Sequence, residues 1–260
     1  PWMLAGTLVA ASVSFLDDIY SLPSKLRLSV QVLGVLLVFA DTGLYAYPLP
    51  WLLLALVVAT VVAVGVANVF NFMDGVNGIT GLYGLVTLAA LGWLNAELGF
   101  VDGRLIALVA LGVLVFGFFN FRREARCFAG DVGSIGLAFV LVFLLTRLIL
   151  ATGNPYFILL LAVYGVDGGL TLLERLRRGE NIMEPHRSHL YQWLVRPGPL
   201  SHLQVAAFYA LAQLGVNLLV TATWQGSGPA LLLLALVLVG GLSLLYLALK
   251  GRLRRRYGLA

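Results

Sequence analysis

Apolar residues run along this chain in long blocks, without the alternation of a half-buried strand. Nine blocks stand out, at 1–16, 28–47, 50–70, 76–96, 104–121, 132–151, 155–173, 203–224 and 229–249. Each approaches the roughly 20 apolar residues that a helix needs to cross a bilayer. The breaks carry turn chemistry, as in Tyr47-Pro48-Leu49-Pro50, Gly153-Asn154-Pro155 and Gly226-Ser227-Gly228-Pro229. Residues 197–249 hold no Asp, Glu, Lys or Arg and are too many for one span, so the Gly-Pro break makes two. The pattern predicts an all-α fold, a polytopic integral membrane helical bundle of about nine spans. It forms one transmembrane domain over 1–260, with a single long loop at 174–202.

Composition removes the other classes. The chain is 60% apolar and 11% charged, with a mean hydropathy of +0.96. Soluble domains carry roughly 25% charged residues, and a fold with so little charge cannot cover itself in water. That excludes a cytosolic enzyme, a disordered chain and a nucleic-acid module, so no nucleic acid is expected as partner. Cys127 is the sole cysteine, which rules out an intramolecular disulfide. No cleavable signal peptide is recognisable. The chain opens at Pro1 inside an apolar run, which predicts that one or more spans precede it.

Charge sets the sidedness. With nine crossings, fifteen of the seventeen Lys and Arg fall on one side and only Arg104 and Arg147 on the other. The positive-inside rule makes the first side cytoplasmic. Most carboxylates join it, leaving Asp41, Glu97 and Asp102 at the outer face and Asp167 inside a span. Carboxylates gathered on one face, between basic loops, predict a polar site there.

Four segments on that side carry candidate chemistry. Asp17-Asp18 is followed by Lys25 and Arg27, which suits metal binding or proton acceptance beside a phosphate-binding cation. Asn68-Val69-Phe70-Asn71-Phe72-Met73-Asp74-Gly75 ends a span and leads into further glycines at 78 and 81. Glycine lets backbone approach a ligand closely, and Asp74 also reads as an N-cap of the next span. Cys127-Phe128-Ala129-Gly130-Asp131-Val132-Gly133-Ser134 sets Asp131 at a helix start, where an ionised carboxylate is favoured. It reads either as an N-cap or as a ligand of Mg²⁺, which takes one or two carboxylates plus phosphates and waters. The loop at 174–202 carries His186-Arg187-Ser188-His189, two histidines flanking an arginine, an anion clamp more than a zinc site. All four segments precede spans that run outward, so helix N-termini with free N–H groups face the same side. Carboxylates beside helix N-termini suit a Mg²⁺–diphosphate ligand.

These motifs resemble those of the polyprenyl-phosphate N-acetylhexosaminyl-1-phosphate transferases, glycosyltransferase family 4, and the resemblance covers nearly the whole chain. Asp17-Asp18 with Lys25 and Arg27 is similar to the family's aspartate-pair loop. The run from Asn68 to Gly75 is similar to its Asn-x-x-Asn-x-x-Asp-Gly segment. Phe128-Ala129-Gly130-Asp131-Val132-Gly133-Ser134 is similar to its Phe-Met-Gly-Asp-x-Gly-Ser segment, with Ala129 in place of Met. His186-Arg187-Ser188-His189 resembles the histidine motif of the branch that initiates surface polysaccharides. The family has one or two further spans before the aspartate pair.

The resemblance implies Mg²⁺-dependent transfer (Mn²⁺ as an alternative) of an N-acetylhexosamine-1-phosphate from a UDP-sugar to a polyprenyl phosphate such as undecaprenyl phosphate. UMP is released at the cytoplasmic face of the cell membrane. It implies Asp17, Asp18, Asp74 and Asp131 as catalytic residues, with Asp131 and Asp74 on the metal. Lys25, Arg27, Asn68, Asn71, His186, Arg187 and His189 would bind substrate. UDP-N-acetylhexosamine, polyprenyl phosphate and the bilayer are the expected partners, and a homodimer is compatible. The competing reading is an ion- or proton-coupled transporter using Asp167 with Arg147 and the span-end carboxylates, since ionisable residues inside spans mark ion pathways.

Overall fold

The computed structural model describes residues 1–181, 184 and 186–258. Among these the chain is helical, without a strand. The helices are α1 (Trp2–Tyr20), α2 (Ser24–Ala40), α3 (Leu49–Met73), α4 (Ile79–Leu98), α5 (Gly103–Asn120), α6 (Gly130–Thr152), α7 (Ala162–Arg177), α8 (Leu190–Val195), α9 (His202–Thr223) and α10 (Gly228–Tyr257). Eight stretches among the described residues are long and apolar enough to cross a membrane, one of them formed by the 3₁₀ segment Pro155–Leu161 together with α7. The block expected at 28–47 falls short of that set. Its helix, α2, has 17 residues and stops at Asp41, and the 3₁₀ turn Leu44–Ala46 takes up most of the remainder. The loop expected at 174–202 begins later, because α7 runs to Arg177, and it contains α8.

Large apolar side chains point outward along the helices. Trp51, Val61, Leu108, Leu233, Leu236 and Leu244 are each more than 60% exposed. In water such a surface would be penalised by about 25 cal/mol per Å². Against lipid it is the expected exterior, and the chain is a membrane protein.

The chain divides into two compact units. The first comprises Pro1–Asp74, Leu91–Ala107 and Phe128–Pro155. Its centre is α6, which buries Ile135, Ala138, Phe139, Leu141, Leu144 and Leu148 against α1, α2 and α3. Two glycines set the spacing of α1 and α2. A Cβ on Gly6 would stand 2.3 Å from the Gly34 carbonyl oxygen, and a Cβ on Gly34 would stand 2.8 Å from the Phe139 ring. Small residues of this kind let membrane helices approach to backbone contact. At the far end of α6, Arg147 is fastened by carbonyls. Its Nη2 donates to Phe100 O at 2.9 Å, its Nε to the same oxygen at 3.2 Å and its Nη1 to Thr42 O at 3.2 Å.

The second unit comprises Gly75–Ala90, Leu108–Cys127 and Tyr156–Ala260. Here α7 packs on α9 and α10, and α8 lies against both. The change from 3₁₀ to α geometry before Ala162 frees backbone donors, and buried side chains take them. Gln213 Oε1 accepts from Val163 N at 2.9 Å and from Tyr83 Oη at 2.7 Å, while Gln213 Nε2 donates to Leu159 O at 3.1 Å and Asn217 Oδ1 at 2.7 Å. Irregular backbone inside a membrane protein needs such internal partners.

The glycine contacts make a paired prediction. Gly6→Ala should destabilise the protein by about 1–3 kcal/mol, the usual cost of overpacking, because the new methyl meets backbone. Gly65→Ala, in α3, meets nothing within 4 Å and should stabilise by about 0.5–1 kcal/mol through helix propensity. Thermal midpoints of the two variants in detergent should move in opposite directions.

Candidate active site

The first unit carries three of the four motifs. α1 ends with Ser21 in the left-handed region, φ 49°, and its carbonyl ladder closes through Ser21 N to Asp17 O. Asp17 braces that turn. One carboxylate oxygen accepts from Leu22 N at 2.7 Å and the other from Arg27 Nη1 at 2.8 Å, with Arg27 Nη2 also reaching Ser24 Oγ at 3.2 Å. Asp17 and Arg27 are thus bound to each other, whereas Lys25 is exposed. Asp18, one residue on, faces the other way. It is exposed, makes no hydrogen bond among the described residues, and stands 3.5 Å from where Gly130 would carry a Cβ. Asp131 and Asp17 are the carboxylates near enough to act electrostatically upon it.

Asp131 sits in the first turn of α6, after Gly130 at φ +59°. Its expected reading as an N-cap does not hold, because the cap position is Ala129 and no side chain caps the helix. Asp74 is likewise no N-cap, since it ends α3 and α4 starts at Ile79. The asparagines divide. Asn68 is spent within the bundle, donating to Gln31 Oε1 and Val64 O, both at 2.8 Å. Asn71 reaches toward Ser134 Oγ at 3.5 Å, which joins the second motif to the third.

The second unit carries the histidine motif, and its anchor is Asp167. This side chain on α7 is 2% exposed. Its Oδ1 lies 3.1 Å from His189 Nδ1 and accepts from Leu190 N at 3.2 Å and Thr171 Oγ1 at 3.2 Å. Its Oδ2 accepts from Tyr209 Oη at 2.5 Å and Tyr191 N at 3.4 Å. An ionised carboxylate only accepts, so His189 Nδ1 carries the proton of that contact. His189 is buried, His186 is half-buried with Nδ1 2.8 Å from Ser188 Oγ, and Arg187 is exposed. The two imidazoles lie 4.8 Å apart. A second anchor is Arg175, 4% exposed, whose guanidinium donates to Glu180 Oε2, Asn181 O and Glu184 O. Gly75, from the second motif, belongs to this unit and lies under Tyr191, where a Cβ would meet the phenol oxygen at 2.1 Å. Pro185, in the loop expected at 174–202, lies outside the described residues.

The sequence therefore concealed two roles. Asp167 stood out as a carboxylate inside a span, but its partner is 22 positions away and only the fold joins them. Asp17 and Asp18 are indistinguishable as letters, and the turn at Ser21 separates them into a brace and an exposed acid.

No three His, Cys, Asp or Glu among the described residues are grouped as a ready-made metal cage. The Asp18–Asp131 pair still fits a hard divalent cation. It places one exposed carboxylate in the field of a second, next to Gly130, and Mg²⁺ draws its remaining ligands from phosphate and water.

Residues 1–149 match the family model described as Glycosyl transferase family 4. The match includes the first three motifs and ends before the histidine motif. No curated protein matches the chain.

Two outcomes test this geometry. Burial first, then the positive fields of His189 and Arg175, push His186 down to about 4. Its ring resonances should therefore titrate near pH 4 rather than 6.5. The unfolded chain binds this proton at higher pH than the folded one, so the residue's contribution to stability is complete above about pH 6.5 and is lost as pH falls toward 4. Separately, Asp167→Asn should lower folding stability by about 3 kcal/mol, because an amide cannot accept from all the donors that converge there. Denaturant titration with a His189 resonance as probe would show both the loss and the released ring.

Proposed function

This chain belongs to glycosyl transferase family 4, and from that premise we propose that it moves an N-acetylhexosamine-1-phosphate from a UDP-sugar to a polyprenyl phosphate and releases UMP. As a member of that family it is a transferase. The observation that carries the finer reading is the Asp18–Asp131 pair, inside the matched region, with Asp18 exposed near the end of α1, next to the turn that Asp17 and Arg27 hold, and Asp131 at the start of α6.

An oxygen of the lipid phosphate attacks the β-phosphorus of the UDP-sugar. The bond between that phosphorus and the bridging oxygen breaks, and UMP leaves with the bridging oxygen. The anomeric bond stays intact. A phosphate monoester has a second pKa of about 6, so the acceptor arrives as a dianion and needs no strong base. Phosphoryl transfer rests on positioning and charge neutralisation, and acidic, basic and glycine-lined segments supply both. Asp18 and Asp131 would hold Mg²⁺, or Mn²⁺, which when bound supplies positive charge to the phosphate oxygens. Asp74, which the resemblance implies as a second metal ligand, would stand near the metal or at the uridine end of the donor. Asn71 would hold substrate, while Asn68 and Arg27 shape the walls. Lys25 and Arg187, both exposed cations, would take the acceptor and donor phosphates. His186, neutral at pH 7, would give a hydrogen bond rather than a charge, and His189 on Asp167 would fix the loop's base.

With α2 counted as the ninth crossing, the fifteen-to-two division of Lys and Arg supports a cytoplasmic position for these segments, where nucleotide sugars and the lipid headgroup meet. A surface-polysaccharide pathway is favoured by the sequence His186-Arg187-Ser188-His189. The transporter reading loses its two residues. Asp167 is held by five donors, and Arg147 is fastened to carbonyl oxygens.

The deciding assay supplies a panel of UDP-sugars and polyprenyl phosphate and identifies the nucleotide released. UMP is expected. UDP as the stoichiometric product, or no nucleotide with any donor, would overturn the proposal. Asp131→Asn should cut Mg²⁺-dependent turnover by about 10²–10³-fold, the scale of losing one charge-stabilising group, with an unchanged thermal midpoint.

A further inference from the structure

Away from the carboxylate motifs, a cleft of about 530 Å³ opens between α7 and α10 of the second unit. Its composition changes along its length. One end is walled by Leu170, Leu173 and Leu247, of which Leu173 and Leu247 are 41% and 57% exposed. One to two turns further along both helices the walls become Arg177, Arg178, Lys250 and Arg254. Both helices run in the same sense here, from apolar residues to their C-terminal turns, where cations are favoured by the helix dipole.

The charges at this end do not balance. Glu174 is the one carboxylate of the cleft. It takes Lys250 Nζ at 2.7 Å, Arg178 Nη2 at 2.7 Å and Arg254 Nη2. Arg178 also stands 3.7 Å from Glu180, which itself pairs with Arg175. Two carboxylates thus serve four cations, Arg175, Arg178, Lys250 and Arg254, and Arg177 adds a fifth, exposed and without an ion pair or hydrogen bond among the described residues. Lys250 is 4% exposed, and buried charges call for full compensation. Arg254 Nε is shut off from solvent with no acceptor. Trp193 floors the cationic end, 4.8 Å from Lys250 Nζ and 5.7 Å from the Arg254 guanidinium carbon. Tryptophan with Lys and Arg is the side-chain set of a membrane–water interface.

We propose that this cleft binds an anionic phospholipid. Its headgroup phosphate would sit among Arg177, Arg178, Lys250 and Arg254, with an acyl chain along Leu173 and Leu247. A zwitterionic lipid brings no net charge to the surplus, and a free anion makes no use of the apolar end. The site is separate from the residues assigned to phosphosugar transfer and does not depend on that assignment.

Native mass spectrometry of the full chain in detergent, titrated with phosphatidylglycerol, phosphatidylcholine, inorganic phosphate or polyprenyl phosphate, tests it. Phosphatidylglycerol should bind at least tenfold more tightly than phosphatidylcholine. Arg177→Gln removes a cation that holds nothing else in place and should weaken phosphatidylglycerol about fivefold, the worth of one cation at an anionic surface. Adding Arg254→Gln should bring the loss to about 25-fold by the same reckoning, with phosphatidylcholine binding unchanged. Equal retention of the two phospholipids, or no effect of Arg177→Gln, would overturn the proposal. Displacement of phosphatidylglycerol by inorganic phosphate would show a free-anion site instead. Displacement by equimolar polyprenyl phosphate would make the cleft part of the acceptor path, and would equally refute it.

Discussion

A polar group inside a bilayer has no water to turn to, so each must find its partner within the protein. Much of this structure follows from that constraint. Gln213 exists at the heart of α9 because the 3₁₀-to-α change before Ala162 leaves Val163 N in need of an acceptor. Arg147 is tolerated at the far end of α6 because Phe100 and Thr42 turn carbonyls toward it. Asp167 gathers donors from α7, α8, α9 and the preceding loop, and thereby ties a loop to a helix. In each case one polar residue in an apolar run fixes the position of an otherwise unrelated segment.

The same constraint sorts the residues at the site. Polar side chains already engaged inside the protein have little left for a ligand, and those at helix ends with open capacity are where chemistry belongs. Asp17, Arg27 and Asn68 fall in the first group, with short bonds to specific partners. Asp18 and Lys25 fall in the second, exposed near the ends of α1 and α2, and Arg187 is exposed in the loop before α8. Asp131 lies between, half-buried and opposite Asp18. A carboxylate pair with open capacity beside a glycine is a poor device for stability, because like charges at close range repel, and a good one for a divalent cation.

Much of this was legible in the sequence, for a physical reason. Span-length apolar blocks and Gly/Pro breaks are local signals, and they place the helices to within a few residues except where Asp41 and the Leu44–Ala46 turn shorten α2 and where α10 continues past 249 to Tyr257. Carboxylates at span ends are equally local, so the candidate residues could be picked out by inspection. What stayed hidden depends on tertiary partners. Nothing in the letters distinguishes Asp17 from Asp18, or shows that Asn68 points at Gln31. Asp167 stands out in the sequence as an ionisable residue inside a span, and only the fold shows His189 and Tyr209 bound to it. The cap readings of Asp74 and Asp131 failed because helix starts were misplaced by a few residues, at α4 and α6.

The contrast between the two basic regions bears on how such an enzyme would work at a membrane surface. Arg175 and Arg178 are both close to Glu180, yet only Arg175 is buried, and it spends its donors on the loop that carries the histidines. Arg178, Lys250 and Arg254 converge on Glu174 instead, and Arg177 has no carboxylate of its own. Charge held by many carbonyls is already satisfied and gives rigidity. Charge in surplus over its carboxylates attracts an anion and gives affinity. A histidine loop anchored at its base by Asp167 and Arg175, with Arg187 exposed toward solvent, combines the two. In the proposed phosphoryl transfer the rigid part would set the geometry, and the exposed Arg187 would supply charge to the diphosphate.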